Sequence, residues 1–215
     1  MHIDIDKIRE KFSDRLVKPV DINRFYSVAV PLIYNEENQS WEVLYEIRSS
    51  KVSQPSEISF PGGMVEENES FKDAAVRETC EELLIEKEDI EVLGELDYLV
   101  TTGVLMIRCF IIRIKGISKE EISPNTDEVE RIFTVPLEFL LKTEPMESVL
   151  TMAVEEDSEF PYDLIPNGKK YNFSKAKNRV LFYKYEDYII WGFTAKMTNT
   201  CMKTLIELEL VSGNV

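Results

Sequence analysis

The sequence has few of the residues that several kinds of chemistry require. His2 is the only histidine in 215 residues, and Cys80, Cys109 and Cys201 are far apart in the chain and form no CxxC pair. A histidine base, a Ser-His pair, a disulfide framework and a zinc site are therefore disfavoured. We expect the cysteines to be small buried residues, and acid–base chemistry to depend on carboxylates, lysines or tyrosines.

The sequence also lacks long apolar runs and an excess of positive charge. No stretch approaches the roughly 18 apolar residues of a membrane span, and the N-terminal stretch MHIDIDKIREKF is acidic and amphipathic, unlike a signal peptide. The chain has 40 acidic and 25 basic residues, a formal net charge of -15. This charge disfavours nucleic acid and anionic membranes as partners. We predict a cytoplasmic protein, either a monomer or a homodimer.

One basic segment interrupts the acidic trend. Residues 165–179 contain Lys169, Lys170, Lys175, Lys177 and Arg179 and no acidic residue. An anionic ligand could bind here, and a solvated hairpin loop explains the same composition equally well.

Hydrophobic periodicity predicts a mixture of helices and strands. Helical spacing predicts an N-terminal helix over about residues 4–16, a helix starting near Ser70 and a C-terminal helix after residue 193. Strands are expected over residues 25–33, 41–48, 90–100, 104–115 and 129–136, and the segments that flank the basic stretch resemble a hairpin. No linker or repeat divides the chain, so we predict one α+β domain over residues 1–215.

The helix after Ser70 follows a Pro-Gly-Gly break and carries Glu78, Glu81 and Glu82. At 100° per residue these three carboxylates lie in one sector of the helix, where like charges repel. The repulsion suggests a compensating positive charge. A hard divalent cation such as Mg²⁺ would supply it and would suit attack on a phosphate, whereas an acidic, solvated helix face is the simpler alternative.

This segment resembles the Nudix box, the signature of hydrolases of nucleoside diphosphates linked to another moiety. The box covers residues 63–85, and the matching positions are Gly63, Glu69, Arg77, Glu78, Glu81, Glu82 and Ile85. Thr79 replaces the usual aliphatic residue, and Leu84 replaces a late glycine that normally ends the helix in a left-handed conformation. The resemblance implies a Nudix-type α/β/α sandwich with a mixed central β-sheet.

The resemblance also implies a metal site for Mg²⁺ or Mn²⁺. Glu78 and Glu82 would be its main ligands, Glu81 would be a further ligand or would activate water, and the Gly63 carbonyl could add a ligand. Gly62 and Gly63 would let the backbone approach the phosphates closely.

Other roles follow from the same resemblance. Glu69 and Arg77 would form an ion pair that holds the loop to the helix. Glu128, in the loop before a strand, is a candidate for the general base or a further ligand, with a solvated loop residue as the alternative. The predicted catalytic set is Glu81, Glu128 and Arg77.

The segment before the box, RSSKVSQPSEISFPGG, is similar to the coenzyme A pyrophosphatase branch of these hydrolases. The implied substrate is coenzyme A or a derivative, cut to 3′,5′-ADP and 4′-phosphopantetheine. The predicted substrate-binding residues are Arg48, Ser49, Phe60, Gly62, Lys169 and Lys170.

Two alternatives remain at this point. Val52 and Ser56 depart from the branch pattern, so ADP-ribose or another nucleoside-diphosphate conjugate is the second substrate candidate. A non-catalytic nucleotide-sensing domain is the third candidate, although such domains usually lose carboxylates that this chain keeps.

Overall fold

The computed structural model describes residues 4–13, 15, 17–101, 105–153 and 159–210. In these ranges the helices are α1 (Ile5–Ser13), α2 (Phe71–Leu83), α3 (Leu137–Lys142) and α4 (Gly192–Glu207). The strands are β1 (Arg24–Asn35), β2 (Ser40–Arg48), β3 (Ile58–Ser59), β4 (Gly62–Met64), β5 (Ile90–Glu95), β6 (Leu99–Val100), β7 (Leu105–Ile114), β8 (Val129–Pro136), β9 (Met146–Met152), β10 (Ala176–Tyr185) and β11 (Tyr188–Trp191). None of the described helices is long and apolar enough to cross a membrane.

Eight strands form the main sheet, and its mixed character confirms the prediction. The spatial order is β3-β2-β1-β7-β5, and β4, β6 and β8 pair with β1, β7 and β2. Strands β1 and β7 run parallel, from the Arg24–Leu105 pair to the Leu32–Arg113 pair, and the other pairs are antiparallel. The apolar run of β1 is buried on both faces, as expected for a central strand.

Both faces of the main sheet are covered. On one face, Ala75, Val76 and Leu83 of α2 pack against Ala29 and Leu44 of the sheet. On the other face, α3, α4 and a second sheet share a core with β1 and β2. The predicted sandwich with a central sheet is therefore confirmed, with the addition that three strands lie in the same layer as α3 and α4.

The second sheet has the order β11-β10-β9 and is antiparallel. Its β9–β10 pair is the hairpin predicted around the basic segment. Tyr183 of β10 is buried in the core, whereas Trp191 at the end of β11 is 43% exposed.

The N-terminal helix differs from the prediction of residues 4–16. Helix α1 ends at Ser13, and it has no buried residue among those described. Its apolar residues Ile5, Ile8 and Phe12 are exposed. Asp14 and Leu16 lie outside the described residues, as do residues 102–104, where the strands predicted at 90–100 and 104–115 would join.

Two smaller predictions concern the cysteines and the end of α2. Cys109 and Cys201 are buried, and Cys80 is partly buried. Leu84 adopts the left-handed conformation with φ 52° and ψ 45°. The helix thus ends in the conformation a glycine would favour, but with an exposed leucine in its place.

Candidate active site

Helix α2 places its carboxylates by burying its opposite face. Ser70 is the N-cap, and its Oγ accepts a hydrogen bond from the Asp73 amide at 3.1 Å, which satisfies one of the free donors of the first turn. Thr79 is fully buried, and its hydroxyl donates to the Ala75 carbonyl at 2.7 Å. The replacement of an aliphatic residue by Thr79 therefore leaves no unpaired hydroxyl in the core.

Arg77 is the positive charge that compensates the acidic helix face. Its guanidinium donates to both Glu69 oxygens, at 2.9 and 3.1 Å. It also donates to Glu78 at 2.9 Å and to Glu81 at 3.0 Å, and it reaches the Met64 carbonyl at 3.2 Å. The Arg77 hydrogen bond lowers the pKa of Glu69. The predicted Glu69–Arg77 ion pair is thus present and ties the glycine turn to the helix.

The glycine turn is part of strand β4, in which Gly62 and Gly63 pair with Val28 and Ser27 of β1. The Gly62 amide donates to Glu82 Oε2 at 2.7 Å. Gly62 has φ +154°, and a Cβ there would overlap the Ser27 carbonyl. A Cβ at Gly63 would overlap the carboxylate of Glu78. Only glycine fits these positions, because backbone and carboxylates approach so closely.

The three helix carboxylates differ in how deeply they are buried. Glu82 is 6% exposed, and burial raises its pKa to about 8, an effect that the Gly62 hydrogen bond opposes and the Glu78 and Glu128 charges reinforce. Burial also raises the pKa of Glu78, although Arg77 opposes this shift. The Glu81 side chain is 55% exposed and points toward Arg77.

Sequence reasoning missed one buried acidic residue near these carboxylates, Glu46 on β2. It is 1% exposed, and its Oε1 has no hydrogen-bond partner in the described part of the chain. The charges of Glu82, Glu128 and Glu78 all act on it. A glutamate in the middle of the buried run VLYEI is the signal that could have revealed it, because a buried strand rarely carries an unpaired carboxylate.

The donor set suits a hard divalent cation, since it consists of clustered carboxylates, one buried oxygen without a partner and a glycine that leaves room beside Glu78. However, no three acidic, histidine or cysteine side chains of the described residues converge on one point. Arg77 binds Glu78 and Glu81, and the Gly62 amide binds Glu82. These residues are of the types that bind such an ion. In their present rotamers, however, the helix carboxylates are hydrogen-bonded to Arg77 and to the Gly62 amide.

A cavity of about 760 Å³ extends from these carboxylates to the second sheet. Glu78, Glu82 and Glu128 line one part, and Asn178, Arg179 and Lys196 line another. The volume lies within the range of small-molecule sites, roughly 300–1,000 Å³.

The substrate-binding residues predicted from sequence divide into two groups. Arg48, Phe60 and Gly62 line the cavity. Ser49 is buried beside it, and its amide donates to the Glu128 carbonyl at 2.8 Å. Lys169 and Lys170 are exposed and are not among the residues that line the cavity. Arg179, also a member of the basic segment, does line the cavity, together with Lys196 of helix α4, which local charge in the sequence did not single out.

The fold and the site define an α+β protein in which a glycine turn and an acidic helix face a cavity of substrate size. A sequence model of the NUDIX domain matches residues 23–152. The match therefore extends well beyond the box at residues 63–85. The chain belongs to the Nudix family. It is therefore a pyrophosphohydrolase of a family that acts on small-molecule nucleotides and generally needs divalent metal ions such as Mg²⁺ or Mn²⁺.

Several known proteins are similar to this chain. Nudix hydrolase 3 of Caenorhabditis elegans is 28% identical over 196 residues, which cover 89% of this chain and 77% of the relative. The mitochondrial coenzyme A diphosphatase NUDT8 of Mus musculus is 25% identical over 166 residues, 76% of this chain and 70% of the relative. Because that relative is named mitochondrial, the cytoplasmic location stays a prediction.

The fold likeness extends to a solved structure. The crystal structure of a MutT/nudix family protein from Enterococcus faecalis aligns with a TM-score of 0.53 at 14% identity, over 95% of this chain and 70% of that chain. At this identity the likeness concerns the fold alone.

Proposed function

We propose that the chain hydrolyses the diphosphate of coenzyme A or an acyl derivative. Water and coenzyme A would give 3′,5′-ADP and 4′-phosphopantetheine. The observation that carries the proposal is one cavity with carboxylates in one part and Arg179 and Lys196 in another, because coenzyme A has a phosphate separate from its diphosphate. The similarity to a mouse protein named coenzyme A diphosphatase supports the same substrate class.

Glu78 and Glu82 would hold the cation, with Glu81 and the Gly63 carbonyl as further candidate ligands. When bound, the divalent cation supplies Lewis-acid activation of the diphosphate. Through its hydrogen bonds to Glu69, Arg77 would fix the position of the helix carboxylates relative to the glycine turn. Arg48, which lines the cavity near these carboxylates, would bind a diphosphate oxygen.

Glu128 is the better placed of the two candidate general bases. It lines the cavity, and its backbone is held by the hydrogen bond from the Ser49 amide. Glu81 is not among the lining residues, and Arg77 binds its carboxylate. Glu128 would therefore accept the proton of the attacking water.

Lys196 would receive the 3′-phosphate together with Arg179. The Lys196 ammonium donates to Asn178 Oδ1 at 2.8 Å, so its position is fixed from the neighbouring strand. Burial and the charge of Arg179 lower the pKa of Lys196. A phosphate would relieve the repulsion between these two cations, although Glu147 already pairs with Arg179.

A substrate panel tests the reaction. Purified protein with Mg²⁺ or Mn²⁺ is incubated with coenzyme A, acetyl-coenzyme A, ADP-ribose and a dinucleotide, and products are identified by mass spectrometry. We expect 3′,5′-ADP from the first two. A preference for ADP-ribose would favour the alternative substrate class, and tight nucleotide binding without cleavage would favour a sensor.

A matched pair of lysine variants tests the phosphate site. Lys196→Ala should raise KM for coenzyme A about 10- to 100-fold and leave KM for 3′-dephospho-coenzyme A nearly unchanged, because a charge-assisted hydrogen bond is lost. Lys203→Ala, an exposed residue of the same helix, is the control. Equal effects of Lys196→Ala on both substrates would contradict the assignment. A Lys169→Ala/Lys170→Ala variant tests the basic segment in the same way.

A further inference from the structure

Glu46 is a buried carboxylate whose charge and hydrogen bonding are incompletely satisfied. It is 1% exposed, and its Oε1 has no partner among the described residues. The hydroxyl of Ser59 is also buried without a partner. Glu46 and Ser59 are directly paired in the β2–β3 ladder, so their side chains lie on the same face of the sheet. Two neighbouring polar groups without partners indicate that the native site holds something else there.

The position of Glu46 connects it to the site of the helix carboxylates. Leu44, two residues earlier on β2, belongs to the core cluster beneath α2. Because alternate residues of a strand share a face, Glu46 also lies on the α2 side of the sheet. There it faces the negative charges of Glu82 and Glu128.

The local charge balance is unfavourable without a cation. The charges that act on Glu46 are those of three carboxylates, Glu82, Glu128 and Glu78, and of one guanidinium, Arg48. Arg48 donates its Nε hydrogen to the Ser53 carbonyl and also lines the cavity. Its positive charge is therefore not directed at Glu46 alone. Buried carboxylates that lack a counter-charge are characteristic of ion-binding positions.

We propose that Glu46 belongs to the carboxylate set that binds the divalent cation, contributing from the sheet what Glu78 and Glu82 contribute from helix α2. The inference rests on the proposed metal site and is independent of the substrate. It gives the site an acidic residue outside the Nudix box, carried by a rigid central strand. The competing interpretation is a purely structural pair, in which a buried water joins Glu46 to Ser59.

Metal titration of the substrate-free protein distinguishes the two. The wild-type protein, Glu46→Gln and a control variant are freed of metal with a chelator, and Mn²⁺ and Mg²⁺ binding is measured by isothermal titration calorimetry. We expect Glu46→Gln to weaken Mn²⁺ binding about 10- to 100-fold. Unchanged affinity would overturn the proposal and favour the structural pair.

Glu42→Gln is the matched control. Glu42 lies four residues earlier on β2, on the same face, and is 6% exposed. Unlike Glu46, it accepts a hydrogen bond from Asn35 Nδ2 at 2.9 Å. We expect Glu42→Gln to retain wild-type Mn²⁺ affinity. An equal loss in both variants would show a general effect on the strand and would contradict a specific role of Glu46.

Thermal unfolding gives a second readout. In chelator, Glu46→Gln should melt at a higher temperature than wild type, because glutamine has no carboxylate that must either stay ionised or take up a proton in the buried site. Saturating Mn²⁺ should then raise its melting temperature less than it raises that of wild type. An equal Mn²⁺-induced rise in both proteins would also overturn the proposal.

Glu46→Asp covers the case in which Glu46→Gln does not fold. It keeps the charge and withdraws the carboxylate by one methylene, so weakened Mn²⁺ binding supports the proposal and wild-type binding overturns it.

A protein that binds Mn²⁺ through Glu46 but does not cleave coenzyme A would refute only the proposed substrate. Failure of the wild type to bind any divalent ion would refute the metal site itself.

Discussion

Arg77 explains how one helix tolerates Glu78 and Glu81 beside Glu82. The helical spacing of these carboxylates predicted a compensating positive charge, with a divalent cation as one candidate source of it. In the structure Arg77 binds Glu69, Glu78 and Glu81 at once. At 25% exposure its side chain is partly shielded from water, where such ion pairs are stronger than at a free surface. The arginine therefore balances the helix charge when no cation is bound.

Gly63 leads to the first prediction, at the scale of a single residue. Gly63→Ala should lower both Mn²⁺ affinity and kcat/KM about 10- to 100-fold, because the added methyl group overlaps the Glu78 carboxylate and displaces it. The measurements are calorimetric titration with Mn²⁺ and steady-state kinetics on the best substrate of the panel.

Gly94→Ala is the control for this variant. An added Cβ at Gly94 would meet only Ile111 Cγ2, at 4.0 Å, which is ordinary contact. We expect near wild-type binding and kinetics for Gly94→Ala. If Gly63→Ala behaves like it, the close approach of Gly63 and Glu78 has no functional consequence.

At the scale of an element, helix α2 has two faces with different tasks. Ala74, Ala75 and Leu83 are completely buried and fix the helix on the sheet. The carboxylates then occupy the sector that meets the glycine turn. Glu82 lies at the border of these two faces: it is buried, and we propose it as a cation ligand. Its burial affects the pH dependence of stability.

We predict that the metal-free protein loses stability as pH rises from about 5 to 8. Burial raises the pKa of Glu82 from 4.5 to about 8 in the folded state. Between these values the folded chain binds more protons than the unfolded chain, so the free energy of unfolding falls as pH rises. The expected loss is roughly 2–4 kcal/mol, measured by urea denaturation in the presence of a chelator.

Glu82→Gln should reduce this pH dependence. It should not abolish it, because burial also raises the pKa values of Glu46 and Glu78. Saturating Mn²⁺ should flatten the wild-type profile as well, since a cation favours the ionised carboxylates. A metal-free wild type that becomes more stable from pH 5 to 8 would refute the prediction.

At the scale of the molecule, residues of the second sheet line the same cavity as residues of the main sheet. Leu181 and Tyr183 of β10 share a core cluster with Val30 and Val43 of the main sheet. This shared core supports our proposal that the chain forms one domain. Strand β10 and helix α4 thereby bring Asn178 and Lys196 to the cavity that also contains the Nudix carboxylates.

Helix α1 is separate from this shared core, and it leads to the last prediction. Removal of residues 1–19 should change the melting temperature by no more than about 2 °C and leave kcat/KM unchanged, because no described residue of α1 is buried. The measurements are differential scanning calorimetry and steady-state kinetics.

Met202→Ala is the matching positive control, since Met202 of α4 is 3% exposed and its loss should destabilise the fold by about 2–5 kcal/mol. A truncated protein that melts as far below wild type as Met202→Ala would show that the N-terminal segment packs on the domain.

The sequence alone indicated the family, the mixed α+β character and the start of α2 near Ser70, and the family resemblance implied the pairing of Glu69 with Arg77. These features depend on local spacing, because a helix cap, a glycine turn and one helix face are set by residues close together in the chain. The prediction of α1 to residue 16 was less accurate, since an amphipathic pattern does not show whether anything packs against it.

Only the tertiary structure placed Glu46 beside Glu82, and Lys196 beside Arg179. Each of these contacts joins elements that are distant in sequence: β2 with α2, and β10 with α4. It also placed Lys169 and Lys170 outside the cavity, although a count of charges had pointed to them. Charge composition records how many cations a segment has, whereas the crossing of strands and helices decides which of them face the substrate.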